Sequence, residues 1–249
     1  MAKVITFSIY KGGTGKTTSA VNTAAALAKA RQRVLLVDLD QQAQATKYVG
    51  IDPDTSPLNI AQVFIQNVPI RLAIQPTPFG FDVVSASDVL AAVEAMLESG
   101  KDEALLREKL GGLSADYDYI LLDTPPGKDK LTFNALIAAQ QIIVPVSAEK
   151  AAIDGLADLI KHLHTVLWPK YNLDQDIRIL FTMYKAGTSH SPGIVRSARR
   201  IYRENVLATV IPEAIAFPRS YDAHQPMTMY APRHPGTRAY QDVASWITS

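Results

Sequence analysis

Apolar positions along the chain fall into short runs separated by longer mixed stretches. Residues 4–9 (VITFSI) are almost wholly apolar and rich in β-branched types, which predicts a buried strand. A glycine-rich stretch follows, and then residues 17–30 (TTSAVNTAAALAKA) are alanine-rich with few breakers, as a helix requires. Further strands are expected at 34–37 (VLLV), 119–122 (YILL), 142–146 (IIVPV), 177–182 and 208–211, with a weaker candidate at 81–84. Pro145 has no N–H to offer a ladder and is expected to stop or bend its strand. Helices are expected at 88–98 and 102–113, and an amphipathic one at 153–167. The proline-bounded segments 53–57 and 69–78 read as surface connections. Strands that are apolar throughout and alternate with helices imply an α/β fold, a mainly parallel sheet covered on both faces. No internal repeat or linker interrupts the pattern, so residues 1–249 are expected to form one domain.

Composition narrows the function more than the fold. The 249 residues carry a formal net charge of +1, so overall charge implies no nucleic-acid affinity and leaves only a local patch. The absence of cysteine excludes disulfides, thiolate-held iron–sulfur clusters and a cysteine nucleophile. No apolar run approaches the roughly 20 residues of a membrane span, and "MAKVITFSIY" lacks the long apolar region and small-residue cleavage site of a signal peptide. A cytoplasmic protein is expected.

The chemistry lies where strands end. In open parallel sheets, ligands sit beyond the carboxyl ends of the strands. Three predicted strands run into residues 10–18 (YKGGTGKTT), Asp38 with Asp40, and Asp123. Gly12, Gly13 and Gly15 permit a tight turn whose N–H groups converge on phosphate, with a helix N-terminus behind them. Lys16 is placed to reach β- and γ-phosphates and the Thr17 hydroxyl to hold Mg²⁺. Lys11, Thr14 and Thr18 complete the loop. Strict phosphate loops have a glycine where this chain has Tyr10, and they lack Lys11. Asp123 ends its strand as a magnesium-holding carboxylate should. Alternation puts Asp38 and Asp40 on one side of the chain if their strand continues, and one of them could polarise an attacking water.

These segments together resemble the ParA/MinD superfamily of P-loop ATPases. "KGGTGKTT" looks like its deviant phosphate-loop motif, "RVLLVDLDQQAQAT" is similar to the second motif of the ParA (Soj-like) branch, and "YDYILLDTPP" to the third. The likeness continues through "LTFNALIAAQQIIVPVSAEKAAIDGL", "ILFTMY" and "TVIP", so it runs along nearly the whole chain. The resemblance implies a P-loop NTPase fold and an ATPase using ATP and Mg²⁺, which closes as a homodimer over two nucleotides. It implies that Lys11 crosses to the partner's nucleotide, that Asp40 activates water, and that Thr17 and Asp123, with Asp40 beside them, form the magnesium site. It places Met183 and Pro212 in the loops that frame adenine.

The branch sets the partners. The chain ends "AYQDVASWITS" with no lysine or arginine, so the basic membrane-binding helix of MinD-like proteins is missing and no membrane partner is expected. ParA-type proteins bind DNA without sequence preference in the ATP state and respond to a ParB-like or other cargo adaptor. Residues 185–203 carry Lys185, Arg196, Arg199, Arg200 and Arg203 and no acidic residue. The arginines recur at i, i+3, i+4 and i+7, one helical face suited to phosphates, while Ile194, Ala198, Ile201 and Tyr202 are free to pack on the core. Basic residues usual after the "TM" and "IP" pairs are replaced by Gly187 and Ala216, with Arg219 a few residues on as a substitute. The proline–proline loop continues Gly127-Lys128-Asp129-Lys130 where the family has an apolar-rich run. With the first strand at the N-terminus, no helix-turn-helix extension is expected. The implied function is DNA partition by a nucleoid-associated ATPase. The alternatives are positioning of a non-DNA cargo, such as a protein compartment or chemoreceptor array, or an ATP-dependent ligase of the same fold.

Overall fold

The apolar runs become strands of one sheet: β1 (Lys3–Phe7), β2 (Val34–Asp38), β3 (Ile74–Pro76), β4 (Asp82–Val84), β5 (Tyr119–Asp123), β6 (Gln141–Ser147), β7 (Asp176–Tyr184) and β8 (Val206–Pro212). The computed structural model describes residues 2–99 and 101–249. Across the sheet the order is β3-β4-β2-β5-β1-β6-β7-β8, parallel throughout except for β3, which runs antiparallel to β4. Between the strands run α1 (Lys16–Lys29), α2 (Gln44–Tyr48), α3 (Ile60–Ile65), α4 (Leu90–Met96), α5 (Leu105–Leu110), α6 (Lys130–Ala138), α7 (Lys150–His162), α8 (Trp168–Tyr171) and α9 (His190–Tyr202). After β8 come α10 (Ala216–Asp222), α11 (Met227–Tyr230) and α12 (Pro235–Thr248).

Alternating strand residues enter two cores, one on each face. Ile5, Phe7 and Leu121 pack with α1 and α12 through Val21, Leu27, Tyr240 and Val243. Val4, Ile120 and Leu122 pack on the opposite face with Leu106, Leu136 and Leu156 of α5, α6 and α7. The doubly covered parallel sheet follows directly from strands that are apolar on both sides.

Register positions the chemistry. Asp123 of β5 pairs with Phe7 of β1 on one side and with Asp38 of β2 on the other. Three chain segments therefore leave the sheet at one level, on its carboxyl edge. Thr124 Oγ1 donates to the Phe7 carbonyl at 2.9 Å, and the Leu39 N–H donates to the Asp123 carbonyl at 2.9 Å, so the three exits are tied together.

Several expectations need correction. Pro145 does not stop its strand, since β6 runs through it and pairs Pro145 with Leu180. The Ser8 N–H donates to the Ile143 carbonyl, so Pro145, two residues on, turns its missing donor toward the same side, where β1 has already left the ladder at Phe7. The segment 69–78 holds a short edge strand, β3. The helix expected over 102–113 is α only over Leu105–Leu110 and then a 3₁₀ turn over Gly111–Leu113. The helix over 153–167 passes into a π turn at Leu163–Leu167, because Pro169 has no N–H for the carbonyl four residues back.

Candidate nucleotide and metal site

Residues 8–15 form an open loop between β1 and α1. Gly13 and Gly15 take φ of 72° and 84°, the left-handed region where a side chain would be strained. Gly15 is the N-cap of α1, and no side chain caps that helix, so its first N–H groups face the loop unpaired by any cap. The Lys16 side chain is buried and arches back over the loop, with Nζ donating to the Lys11 carbonyl at 3.3 Å. Burial pulls its pKa down, while Asp123 and Asp40 act in the opposite sense. Uncapped N–H groups and a desolvated ammonium together suit an anion. Lys11 is half-buried, with its Cβ against Gly155 of α7.

The carboxylates divide by role. Asp38 is fully buried and accepts hydrogen bonds from the Thr46 N–H (2.9 Å), the Thr46 hydroxyl (2.8 Å) and the Asp40 N–H (3.1 Å). Thr46 Oγ1 in turn accepts from the Ala86 N–H, so Asp38 joins β2, α2 and the end of β4. The strand ends at Asp38 and does not carry on to Asp40, so the alternation argument does not apply. Asp40 turns out into the loop, where Oδ1 accepts from the Gln42 N–H at 2.9 Å and Oδ2 accepts nothing among the described residues. Asp123 is fully buried, and neither of its carboxylate oxygens has a hydrogen-bond partner. Burial, and then Asp38, raise its pKa well above the usual carboxylate range, against the pull of Thr17 and Lys16.

A buried carboxylate with both oxygens unpaired is costly unless a cation completes it. Among the described residues no cluster of three or more His, Asp or Glu side chains is placed to hold a metal. That donor set suits Mg²⁺, which takes one or two carboxylates and a hydroxyl together with substrate phosphates. Thr17 and Asp123 are the residues that would hold it.

Beside the loop opens a cleft of about 710 Å³, lined by Gly15, Thr18, Met183, Pro212, Phe217 and Tyr221 among others. Met183 and Pro212 thus come to one wall, Met183 by way of a left-handed φ of 51° at an irregular stretch of the β7–β8 pairing. Thr182 Oγ1 donates to the Thr14 carbonyl at 2.8 Å and fixes the loop to β7.

Comparisons with known proteins give the family. The model of the AAA domain family AAA_31 matches residues 2–179. The sporulation initiation inhibitor protein Soj of Bacillus subtilis (strain 168) is 33% identical over 254 residues, 100% of this chain and 99% of that protein. The chromosome-partitioning ATPase Soj of Thermus thermophilus is 36% identical over 246 residues, 98% of this chain and 94% of that protein. The crystal structure of cobyrinic acid a,c-diamide synthase from Mycobacterium smegmatis with bound ADP and magnesium has a TM-score of 0.87 at 30% identity, covering 100% of this chain and 94% of that one.

The chain belongs to the ParA/MinD family of P-loop ATPases. As a member it is a magnesium-dependent ATPase.

Sequence reasoning missed several residues that shape the ParA/MinD site. Asn22 donates to the Tyr48 hydroxyl (3.2 Å), Tyr48 meets Ser220 at 2.6 Å, and the Met227 N–H donates to Asn22 Oδ1 at 2.8 Å. This buried network holds α10 and α11 against α1 and so fixes one wall of the cleft. The partners lie up to 205 positions apart, and no local pattern marks them.

The basic row is broken. Arg196, Arg199 and Arg200 lie exposed on α9, but Arg203 is beyond the helix end with φ of 46°. Ile201, expected to pack inward, is 67% exposed. Arg199 Nη2 donates to the Ala208 carbonyl of β8 at 2.9 Å, and Lys185 pairs with Glu213 at 3.1 Å. Arg219 is exposed on α10.

Proposed function

We propose that this ATPase is a partition ATPase that closes as a homodimer over two ATP molecules, binds DNA without sequence preference in that state, and is reset when a cargo-bound adaptor stimulates hydrolysis. The Soj relatives, one named a chromosome-partitioning ATPase, support the partition reading. The observation that carries dimer closure is Lys11. Lys16 already crosses the loop of its own site, and Lys11 adds a second cation at the mouth with no ion pair of its own among the described residues. A cation delivered to the other subunit's phosphates makes hydrolysis depend on association, as an arginine finger does.

In this scheme the α1 N-terminus and Lys16 hold the phosphates, and Met183 and Pro212 flank the base. Bound Mg²⁺ supplies charge neutralisation at the phosphates. Asp40 orients the attacking water through Oδ2 and accepts its proton; Asp38 has no oxygen to spare, since both accept hydrogen bonds. Loss of the γ-phosphate removes the bridge between subunits and the dimer opens.

The likeness to cobyrinic acid a,c-diamide synthase favours a second reading, an ATP-dependent ligase. The two separate cleanly. Sedimentation with ATP and Mg²⁺ is expected to show a dimer, and Lys11→Ala is expected to remain monomeric while still binding ATP. A dimer unchanged in Lys11→Ala overturns the trans role. DNA retention with ATP but not ADP, and turnover stimulated by DNA and adaptor, are expected of the partition ATPase. Full turnover with neither present would establish the ligase.

A further inference from the structure

Tyr10 stands where a strict phosphate loop has glycine, immediately before Lys11. It is half-buried against α7. Its hydroxyl lies 2.5 Å from His162 Nδ1, and the rings tilt together at 5.8 Å between centroids. Burial raises the Tyr10 pKa and lowers that of His162, which favours the uncharged form of both rings. Lys128, in the loop that follows Asp123, places Nζ 5.1 Å from the Tyr10 ring centroid and forms an ion pair with Asp158 of α7 at 2.9 Å. Phe133 of α6 closes the far side of the imidazole, edge-on at 5.1 Å. One turn before Asp158, a Cβ added at Gly155 would stand 3.5 Å from the Lys11 Cβ. Gly155, Asp158 and His162 recur at i, i+3 and i+7, so a single face of α7 meets Lys11, Lys128 and Tyr10 in turn.

We propose that Tyr10 is a positioning residue for Lys11: its bond to His162 pins the mouth of the phosphate loop to α7 and, through Lys128, to the loop that leaves Asp123. This rests on the reading of Lys11 as the lysine that serves the partner's nucleotide. An ammonium on a flexible four-carbon stem loses much of its reach if the backbone beneath it drifts. The tyrosine hydroxyl removes that drift at a point one residue away. The same anchor makes the phosphate-loop mouth and the metal-carboxylate loop shift together, so closure over ATP in one is felt by the other.

Tyr10→Phe keeps the ring, its packing and the Lys128 contact, and deletes only the hydroxyl. In Tyr10→Phe, and equally in His162→Leu, the ATP-state dimer is expected to weaken about tenfold by sedimentation, with ATP affinity of the monomer held within about twofold. The double variant is expected to be no weaker than either single one, because both remove one bond. His162→Asn keeps an acceptor near the Nδ1 position and is expected to restore dimerisation. A purely structural tyrosine would lower the melting temperature and leave the dimer constant unchanged, which overturns the proposal. Lys11→Ala is measured beside them. If it abolishes the dimer while Tyr10→Phe dimerises like the parent protein, positioning is overturned and the trans-lysine reading stands. If Lys11→Ala itself dimerises normally, that reading fails and the positioning role fails with it.

Discussion

Asp38 and Asp40 differ by two positions, yet they do different work because one is spent on the fold. Burial pushes the Asp38 carboxyl up to about 6, opposed by the two Thr46 hydrogen bonds and the Asp40 N–H and reinforced by the Asp40 charge. In the unfolded chain the same group titrates near ~3.9, so the folded state holds its proton more tightly. Its contribution to stability is therefore fully present below about pH 4 and is lost as the pH rises through about 6, a difference on the order of 3 kcal/mol. Urea midpoints of the nucleotide-free protein are expected to fall across that window more steeply than those of Asp38→Asn. Equal slopes would assign the titration to Asp123, which both proteins retain. Asp40→Ala, by contrast, is expected to fold normally and to accumulate the ATP-bound dimer; ordinary turnover in that variant would place the water elsewhere. At this scale the sequence was legible where chemistry is local. The glycines, Lys16, Thr17 and the strand-end Asp123 sit in one short pattern or at one strand end. Thr46, Thr182 and the Asn22–Tyr48–Ser220 network act through contacts made only after folding, and Asp38 separates from Asp40 only once Thr46 is seen beside it.

Helices α4 and α6 cap each other. Glu94 of α4 accepts from the Lys130 N–H (2.8 Å) and the Leu131 N–H (3.0 Å), two of the unpaired donors that open α6. Lys130 Nζ returns to the Glu94 and Leu97 carbonyls at 2.9 and 2.6 Å, the open end of α4. Lys130 is thus committed, and Lys128 is paired with Asp158. The lock sits at the exit of the 124–129 loop, whose Gly127 takes φ of 114°. Glu94→Ala is expected to cost about 1–2 kcal/mol through the lost cap and charge at the helix end. Urea unfolding is expected to show a lower midpoint at constant m; an unchanged midpoint would mean that water caps α6 equally well. Elements were legible in proportion to their periodicity. The long apolar strands were found within a residue or two, because buried parallel strands carry their signal in every position. β3, three residues on an edge, has no such signal. Pro145 misled because its effect depends on which neighbour its missing N–H would have faced. The arginine spacing from 196 to 203 reads as one helical face, but α9 ends at Tyr202 and the backbone turns left-handed at Arg203.

For the whole molecule the question is how a chain of net charge +1 would hold DNA. Only a local cluster can do so, and the structure reduces the candidates. Lys185 is neutralised by Glu213, and Arg199 is tied to β8. Arg196 and Arg200 remain exposed on α9 with no ion pair among the described residues. No helix among the described residues is long and apolar enough to cross a membrane. The apolar side of α12 is spent in the core through Tyr240, Val243 and Ile247. Arg199→Glu would be a poor probe of DNA binding, because it also cuts α9 from β8, at about 1–3 kcal/mol. Arg196→Glu with Arg200→Glu touches neither the core nor the nucleotide site. That double variant is expected to keep its melting temperature and ATP affinity and to lose DNA retention at low salt. Its residual binding is expected to be shallower in salt by about 2 in the logarithmic slope, the loss of two phosphate contacts. A parallel salt line would remove α9 from the DNA surface and leave Arg219 of α10 as the next cation to replace.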